Sequence, residues 1–441
     1  VSAFRAVLML IGALALASCG GGGSTSLAPT PVAVVVPAAP VPAAAMNVAT
    51  VTLDAGPAAL KSGSRGYTAF NEPYVTITIC APGSTTNCQT IDHIILDTGS
   101  VGLRLIQGVL DAAMLAALPT ETDPSGNPVG QCYQYVNSYA FGSVRKIDFA
   151  IAGEHVAAMP VQIIADTGVF SAVPASCSAG GGTAVTTVQE FGANGIIGIG
   201  TTPTDCGARC TVAGGSAGAI YYACPAAGCG AIIARAANAA APFEQLPNPV
   251  AAFPIDNNGT LLTLPAVPPQ GAPALSGTVT FGIGTQSNNM LNAATLLPVT
   301  ASGSRLGAGV LTATYKGKPL TQSFIDSGSN DYFFIDTGLT PCANANYLAF
   351  YCPSGPLTIA LVLTGTDGAT FSDAFSLYSP LNIAGSSVIA PGLAINPTLV
   401  KPPLPFANSF DLGMPFFFGR TVFTAIEGRQ AGATAGPFVA F

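Results

Sequence analysis

Ile94-Ile95-Leu96-Asp97-Thr98-Gly99-Ser100 and Ser323-Phe324-Ile325-Asp326-Ser327-Gly328-Ser329 are two copies of one pattern. An apolar run rich in β-branched or aromatic residues predicts a strand. It ends on a carboxylate, followed by a hydroxyl, a glycine that lets the backbone turn sharply, and a second hydroxyl able to hydrogen-bond the acid three residues back. A single copy is ordinary turn chemistry, because Asp and Gly suit Asx-turns and positive φ. The chain itself holds two such turns, Asp166-Thr167-Gly168 and Asp336-Thr337-Gly338, each after an apolar run. Both lack the second hydroxyl and read as structural, with Asp336 a rival to Asp326 because it lies close by in the chain. Two complete copies far apart predict two half-sites facing each other across a cleft.

The surrounding chain predicts a mainly β scaffold. Short apolar segments such as Tyr74-Val75-Thr76-Ile77-Thr78-Ile79 are bounded by Gly, Pro, Asn and Asp, and helical periodicity is local, at residues 109–118. The 441 residues include Gly 51 and Pro 36. About 395 of them, from residue 47 on, exceed one hydrophobic core and imply two lobes. The expected division is an N-terminal lobe at 47–260, with a Cys-rich surface insertion at 201–247, and a C-terminal lobe at 261–441. Lys and Arg number 14 against 21 Asp and Glu, for a formal net charge of -7. So few cations cannot supply the phosphate contacts of a nucleic-acid interface. Two histidines, His93 and His155, exclude a many-histidine metal centre and have no neighbouring nucleophile pattern for a Ser-His-Asp triad.

With both half-sites in view, the sequence resembles the pepsin-like aspartic peptidases. Ile196-Ile197-Gly198 is similar to the apolar-apolar-Gly strand that braces the first acidic turn in that family, and Leu412-Gly413, within Phe410-Asp411-Leu412-Gly413, to the second. Gly277-Thr278-Val279-Thr280-Phe281-Gly282 and the terminal Gly436-Pro437-Phe438-Val439-Ala440-Phe441 resemble further strands of the family. The resemblance implies an all-β, two-lobed double barrel with the active site between the lobes. Asp97 and Asp326 are then the catalytic acids, supported by Thr98, Gly99, Ser100, Ser327, Gly328 and Ser329. It also implies a hairpin flap whose Tyr covers the cleft. Tyr139, in Tyr139-Ala140-Phe141-Gly142-Ser143, is the candidate, with Tyr133 and Tyr135 as competitors, and Arg104 stands where the family usually has a Trp. Asp256-Asn257-Asn258-Gly259, with Phe281-Gly282-Ile283-Gly284-Thr285-Gln286-Ser287-Asn288-Asn289, resembles in addition an uncharacterised family of bacterial lipoproteins.

Residues 1–18 carry one cation, Arg5, and an apolar run from Ala6 to Ala17, as a secretory signal does. Leu16-Ala17-Ser18-Cys19 resembles a bacterial lipobox, which makes Cys19 the lipidated residue; the plainer alternative is a cleaved signal with a chance cysteine. Residues 19–46 then form a Gly-, Pro- and Ala-rich tether. The expected address is the bacterial cell envelope, lipid-anchored and facing the periplasm or outer surface, with the lipid as the sole membrane contact. Beyond Cys19 ten cysteines remain, and export favours disulfides. Sequence neighbourhood pairs Cys80 with Cys88, Cys206 with Cys210, Cys224 with Cys229 and Cys342 with Cys352, leaving Cys132 for Cys177. A zinc knot of Cys206, Cys210, Cys224 and Cys229 is the competing reading of four of them; the favoured one has no metal.

The expectation is an envelope-anchored hydrolase without cofactor that cleaves an extended peptide or protein substrate with two carboxylates and a water. The alternative is a lipoprotein with the same fold that binds or supports and does no chemistry.

Overall fold

A computed structural model of the chain describes residues 46–441 apart from 63–67, 171, 180, 208–220, 227, 230–244, 305–306, 401–403 and 405. The signal segment, Cys19, the tether up to residue 45 and Cys210 lie outside the described residues. The chain is all-β, 42% strand and 9% helix, in the two-lobed pepsin-like arrangement, with one closed six-stranded barrel and one nearly closed seven-stranded barrel.

The closed barrel runs Ser138–Ile151, Glu154–Ile164, Val101–Ile106, Gly195–Ile199, Cys88–Asp97 and Tyr74–Cys80, and pairing of the last strand with the first removes the sheet edge. The second barrel runs Thr370–Leu377, Leu357–Thr364, Leu311–Tyr315, Lys318–Ile325, Asp411–Leu412, Tyr332–Phe333 and Ala394–Ile395. Its strand Leu311–Tyr315 alternates buried and half-buried residues, the period-two signature of a sheet with one face on a core. Val101–Ile106 is buried at every position, as befits a strand covered on both faces. One continuous apolar cluster fills both halves, including Ile94, Leu96, Leu103 and Ile197 on one side and Leu361, Phe410, Leu412 and Phe416 on the other. Each such side chain contributes about 1.5–3 kcal/mol of burial.

The halves share a connecting sheet of Val48–Leu53, Leu275–Phe281, Gly259–Leu264, Arg420–Ala425, Phe438–Ala440 and Leu296–Pro298. A division after residue 260 therefore falls within a strand, because Gly259–Leu264 pairs along its whole length with Arg420–Ala425. The insertion at 201–247 also differs from expectation. Tyr221–Ala223 forms a strand on Val129–Gln134, with Tyr221 and Tyr222 buried, so part of the stretch is core rather than surface. The aromatic pair was outweighed in the sequence by the surrounding Gly and Ala.

Four expected disulfides are present: Cys80–Cys88, Cys132–Cys177, Cys224–Cys229 and Cys342–Cys352. Cys206 is also disulfide-bonded. Cys224 and Cys229 are bonded to each other and thus cannot serve as thiolate ligands, which removes the zinc-knot alternative. These bonds mark a protein of an oxidising, extracellular or envelope compartment. Among the described residues no helix is long and apolar enough to cross a membrane.

Candidate active site

The two acidic turns meet. Cys88–Asp97 runs parallel to Gly195–Ile199 with Asp97 opposite Gly198, and Lys318–Ile325 runs parallel to Asp411–Leu412 with Ile325 opposite Leu412. The two apolar-Gly strands thus brace the turns as expected, one in each half.

Thr98 and Ser327 tie the turns together. Thr98 N donates to Ser327 Oγ (3.0 Å) and Ser327 N donates to Thr98 Oγ1 (2.9 Å). Each hydroxyl then donates to the other half's strand, Thr98 Oγ1 to Ile325 O at 3.3 Å and Ser327 Oγ to Leu96 O at 2.7 Å. These reciprocal bonds are buried, each contributing about 1 kcal/mol and fixing the turns to one geometry. Within each turn the glycine amide donates to the acid's Oδ1, Gly99 N to Asp97 at 2.7 Å and Gly328 N to Asp326 at 2.8 Å. Ser100 Oγ donates to Asp97 Oδ2, and Ser329 Oγ lies 2.9 Å from Asp326 Oδ2.

The glycines are there because the opposite acid is. A Cβ on Gly99 would stand 2.5 Å from Asp326 Cγ, and one on Gly328 2.7 Å from Asp97 Oδ1. Gly99→Ala is accordingly expected to push the two carboxylates apart, so that any chemistry the pair carries falls about 100-fold or more while circular dichroism stays that of the parent, since small misplacements of reacting groups cost that much.

Burial raises the Asp326 pKa well above the ordinary carboxylate range, and the charge of Asp97 adds to the rise. Two acids that hydrogen-bond each other in a desolvated site share one proton. Asp336 is elsewhere. Burial works to raise its pKa, but hydrogen bonds from Lys316 Nζ and Tyr315 Oη, both at 2.7 Å, with the Gly338 amide at 2.9 Å, hold it below the usual value. Asp166 is paired with Arg145 at 2.7 Å. Both are structural turns, as their missing second hydroxyl predicts.

The hairpin expected to serve as the flap is Val129–Gln134 with Ser138–Ile151, tied through Cys132–Cys177 two residues before the end of its first strand. Of the tyrosines considered for the flap, Tyr139 and Tyr133 lie on opposite faces of this hairpin. Tyr139 pairs with Gln134 and packs against the Cys132, Phe141 and Cys177 cluster. Side chains alternate across a sheet, so Tyr133, one position from Gln134, points to the opposite face. Tyr133 lies close enough to Ser100 and Asp97 for both to act on its phenol, which burial pushes up to about 12. It is therefore a neutral donor.

Arg104, in the position where the resemblance calls for a Trp, is fully buried with its guanidinium 3.6 Å from the Tyr133 ring centroid. It donates to Val101 O (2.8 Å) and pairs with Asp205 at 3.2 Å, which also accepts from Gln131 and Tyr221. Sequence reasoning missed Asp205, which lies in the weakly patterned Cys-rich stretch. It also missed Asp411, fully buried with its Oδ2 2.7 Å from Ser329 Oγ. The signal for Asp411 was present: its counterpart in the first brace is Ile196, so the acid stands where packing alone takes an apolar residue. Among the described residues no group of three or more His, Cys, Asp or Glu is arranged to hold a metal ion.

A model of the family described as protein of unknown function (DUF3443) matches residues 43–441. The crystal structure of the aspartic proteinase from Irpex lacteus is similar at 12% identity, covering 89% of this chain and 96% of that chain with a TM-score of 0.48. No curated protein matches the chain.

Proposed function

The chain belongs to the DUF3443 family, and we propose that this member, of a family described only by its unknown function, hydrolyses peptide bonds with Asp97 and Asp326 as a shared-proton pair. The observation that carries the proposal is the meeting of two identically built acidic turns, locked by Thr98 and Ser327, with the glycine of each against the carboxylate of the other. A single proton held between two acids gives a base and an acid in one place. Asp97 takes a proton from a water positioned between the carboxylates, and Asp326 gives its proton to the scissile carbonyl oxygen. A tetrahedral diol forms with no covalent bond to the protein, and collapse returns a proton to the leaving amine. Ser100 holds the outer oxygen of Asp97 as an acceptor. The substrate is an extended peptide or protein segment lying under the flap, adding its backbone as a strand with side chains in alternate pockets. The protein acts in the cell envelope, tethered by a lipid on Cys19.

The test is incubation of the purified protein with unfolded protein from pH 3 to pH 8, with and without a statine-type inhibitor. Cleavage that the inhibitor stops, and that Asp326→Asn lacks, supports the proposal. No cleavage at any pH overturns it and leaves a binding or structural lipoprotein.

A further inference from the structure

Ser329 presents a problem of hydrogen count. Its Oγ lies within hydrogen-bond distance of two carboxyl oxygens, Asp326 Oδ2 at 2.9 Å and Asp411 Oδ2 at 2.7 Å. A serine has one hydrogen to give and two lone pairs to accept with. If both carboxyls were ionised, one of these contacts would set lone pair against lone pair in a buried site. One of the acids therefore carries a proton on Oδ2 and donates it to Ser329.

The surroundings decide which. Asp411 is wholly buried, on the strand Asp411–Leu412 between Lys318–Ile325 and Tyr332–Phe333. The charged groups that act on it are Asp97 and Asp331, both acids, and no cation among the described residues offsets them. Asp331, 4% exposed, is itself pushed up to about 7 by burial. Asp411 Oδ1 has no hydrogen-bond partner. That is cheap for the carbonyl oxygen of a neutral acid and costly for a carboxylate. Asp326, by contrast, has a donor on each oxygen and faces Asp97 for the shared proton.

We propose that Asp411 is a third acid of this site, protonated at neutral pH, a positioning residue that donates to Ser329 Oγ and so turns the serine's hydrogen onto Asp326. In the other half-site Ser100 gives its hydrogen to Asp97, and the group beside that serine is Tyr133, a neutral phenol. The two neighbours differ in what pH does to them. A phenol stays protonated throughout the working range, while a carboxylic acid eventually ionises. Once Asp411 does, Ser329 turns its hydrogen toward it and Asp326 Oδ2 loses its donor. Activity therefore has an alkaline limb set by Asp411. This inference rests on the peptidase reading for its kinetic consequence, but the protonation itself does not depend on cleavage.

Two measurements separate them. In infrared difference spectra at pH 7, wild type minus Asp411→Asn, a protonated-carboxyl C=O band belonging to Asp411 is expected; its absence overturns the proposal whether or not the protein cleaves anything. In kinetics, Asn at this position keeps a donor toward Ser329 that cannot ionise, so the alkaline limb of kcat for Asp411→Asn moves upward by about one pH unit or more. Asp411→Leu, chosen because the equivalent position in the first brace is the apolar Ile196, keeps the packing without the donor, and kcat falls about tenfold with KM little changed. An unshifted limb in Asp411→Asn, or parental kcat in Asp411→Leu, overturns the role. If the wild type cleaves no peptide at any pH, the peptidase reading fails, and the infrared band alone decides for or against the third acid.

Discussion

Asp97→Asn is expected to lower inhibitor-sensitive peptide cleavage by about a thousandfold or more and at the same time to make the folded protein more stable at neutral pH. The two effects have one cause. The acids stand close because the Thr98 and Ser327 bonds and the two glycines hold them so, not because they attract. Asn has the shape of Asp, keeps an oxygen to accept from the Gly99 amide, and cannot take a proton from water. Its amide can also donate to Asp326, replacing a contact that needs a bound proton by one that does not. The sign of the stability change follows from linkage. Asp326 has a folded pKa above its unfolded value of about 3.9, through burial and then through Asp97. Between those two values the folded state holds a proton that the unfolded state has lost, so stability is greatest below the unfolded pKa and falls as pH rises toward the folded one. Removing the Asp97 charge lowers the folded pKa and flattens that fall. Urea unfolding at pH 4 and pH 7 checks it: the variant's gain over the parent should be larger at pH 7. Retained cleavage would refute the dyad, and a variant less stable at pH 7 with a steeper pH dependence would refute the electrostatic account.

The facing acidic pair was legible because it is written twice, and a repeat carries information that a single Asp-Thr-Gly does not. What the sequence left hidden lies one step away in space and far away in the chain. Asp205 and Asp411 are acids whose significance comes from what surrounds them, Arg104 in one case and Ser329 in the other. Neither neighbour is near in sequence. Tyr139 was favoured over Tyr133 because the Tyr-Ala-Phe-Gly-Ser run matched a pattern, whereas the face of the hairpin each occupies is set by strand parity, which depends on where the hairpin turns. The pairing of Gln134 with Tyr139 fixes that parity. The Asp256-Asn257-Asn258-Gly259 segment, singled out by resemblance, has a structural account. Asn258 Oδ1 accepts from Ile283 N at 2.7 Å while its Nδ2 donates to Ile283 O at 2.9 Å and Gln430 O at 2.7 Å, and Asp256 accepts from Thr285 and Gln286. The segment joins the turns at the end of the connecting sheet.

Arg104 is the residue at which the site and the stability of the fold are most tightly joined. Its guanidinium is the floor on which Tyr133 lies, a desolvated cation–π contact of about 2 kcal/mol, and also the counter-charge of Asp205. Even with that counter-charge, burial outweighs it and pushes Asp205 up to about 6. Arg104→Met leaves Asp205 without its cation, a loss expected to destabilise the fold by about 3–5 kcal/mol at pH 8. Part of the loss is recoverable by acid. Without the arginine the folded pKa of Asp205 rises further, so at pH 5 the acid is neutral when folded, and the difference between parent and variant shrinks. Arg104→Met with Asp205→Leu removes both charges and should regain most of the stability at pH 8, since a buried pair replaced by apolar side chains is often no worse. It should not regain cleavage, because Tyr133 still lacks the planar cation beneath its ring and its hydroxyl is no longer held close to Ser100. Equal losses at pH 5 and pH 8 in the single variant would show that packing, not the Asp205 charge, is what Arg104 supplies. Full cleavage in the stable double variant would show that Tyr133 is positioned by the hairpin alone.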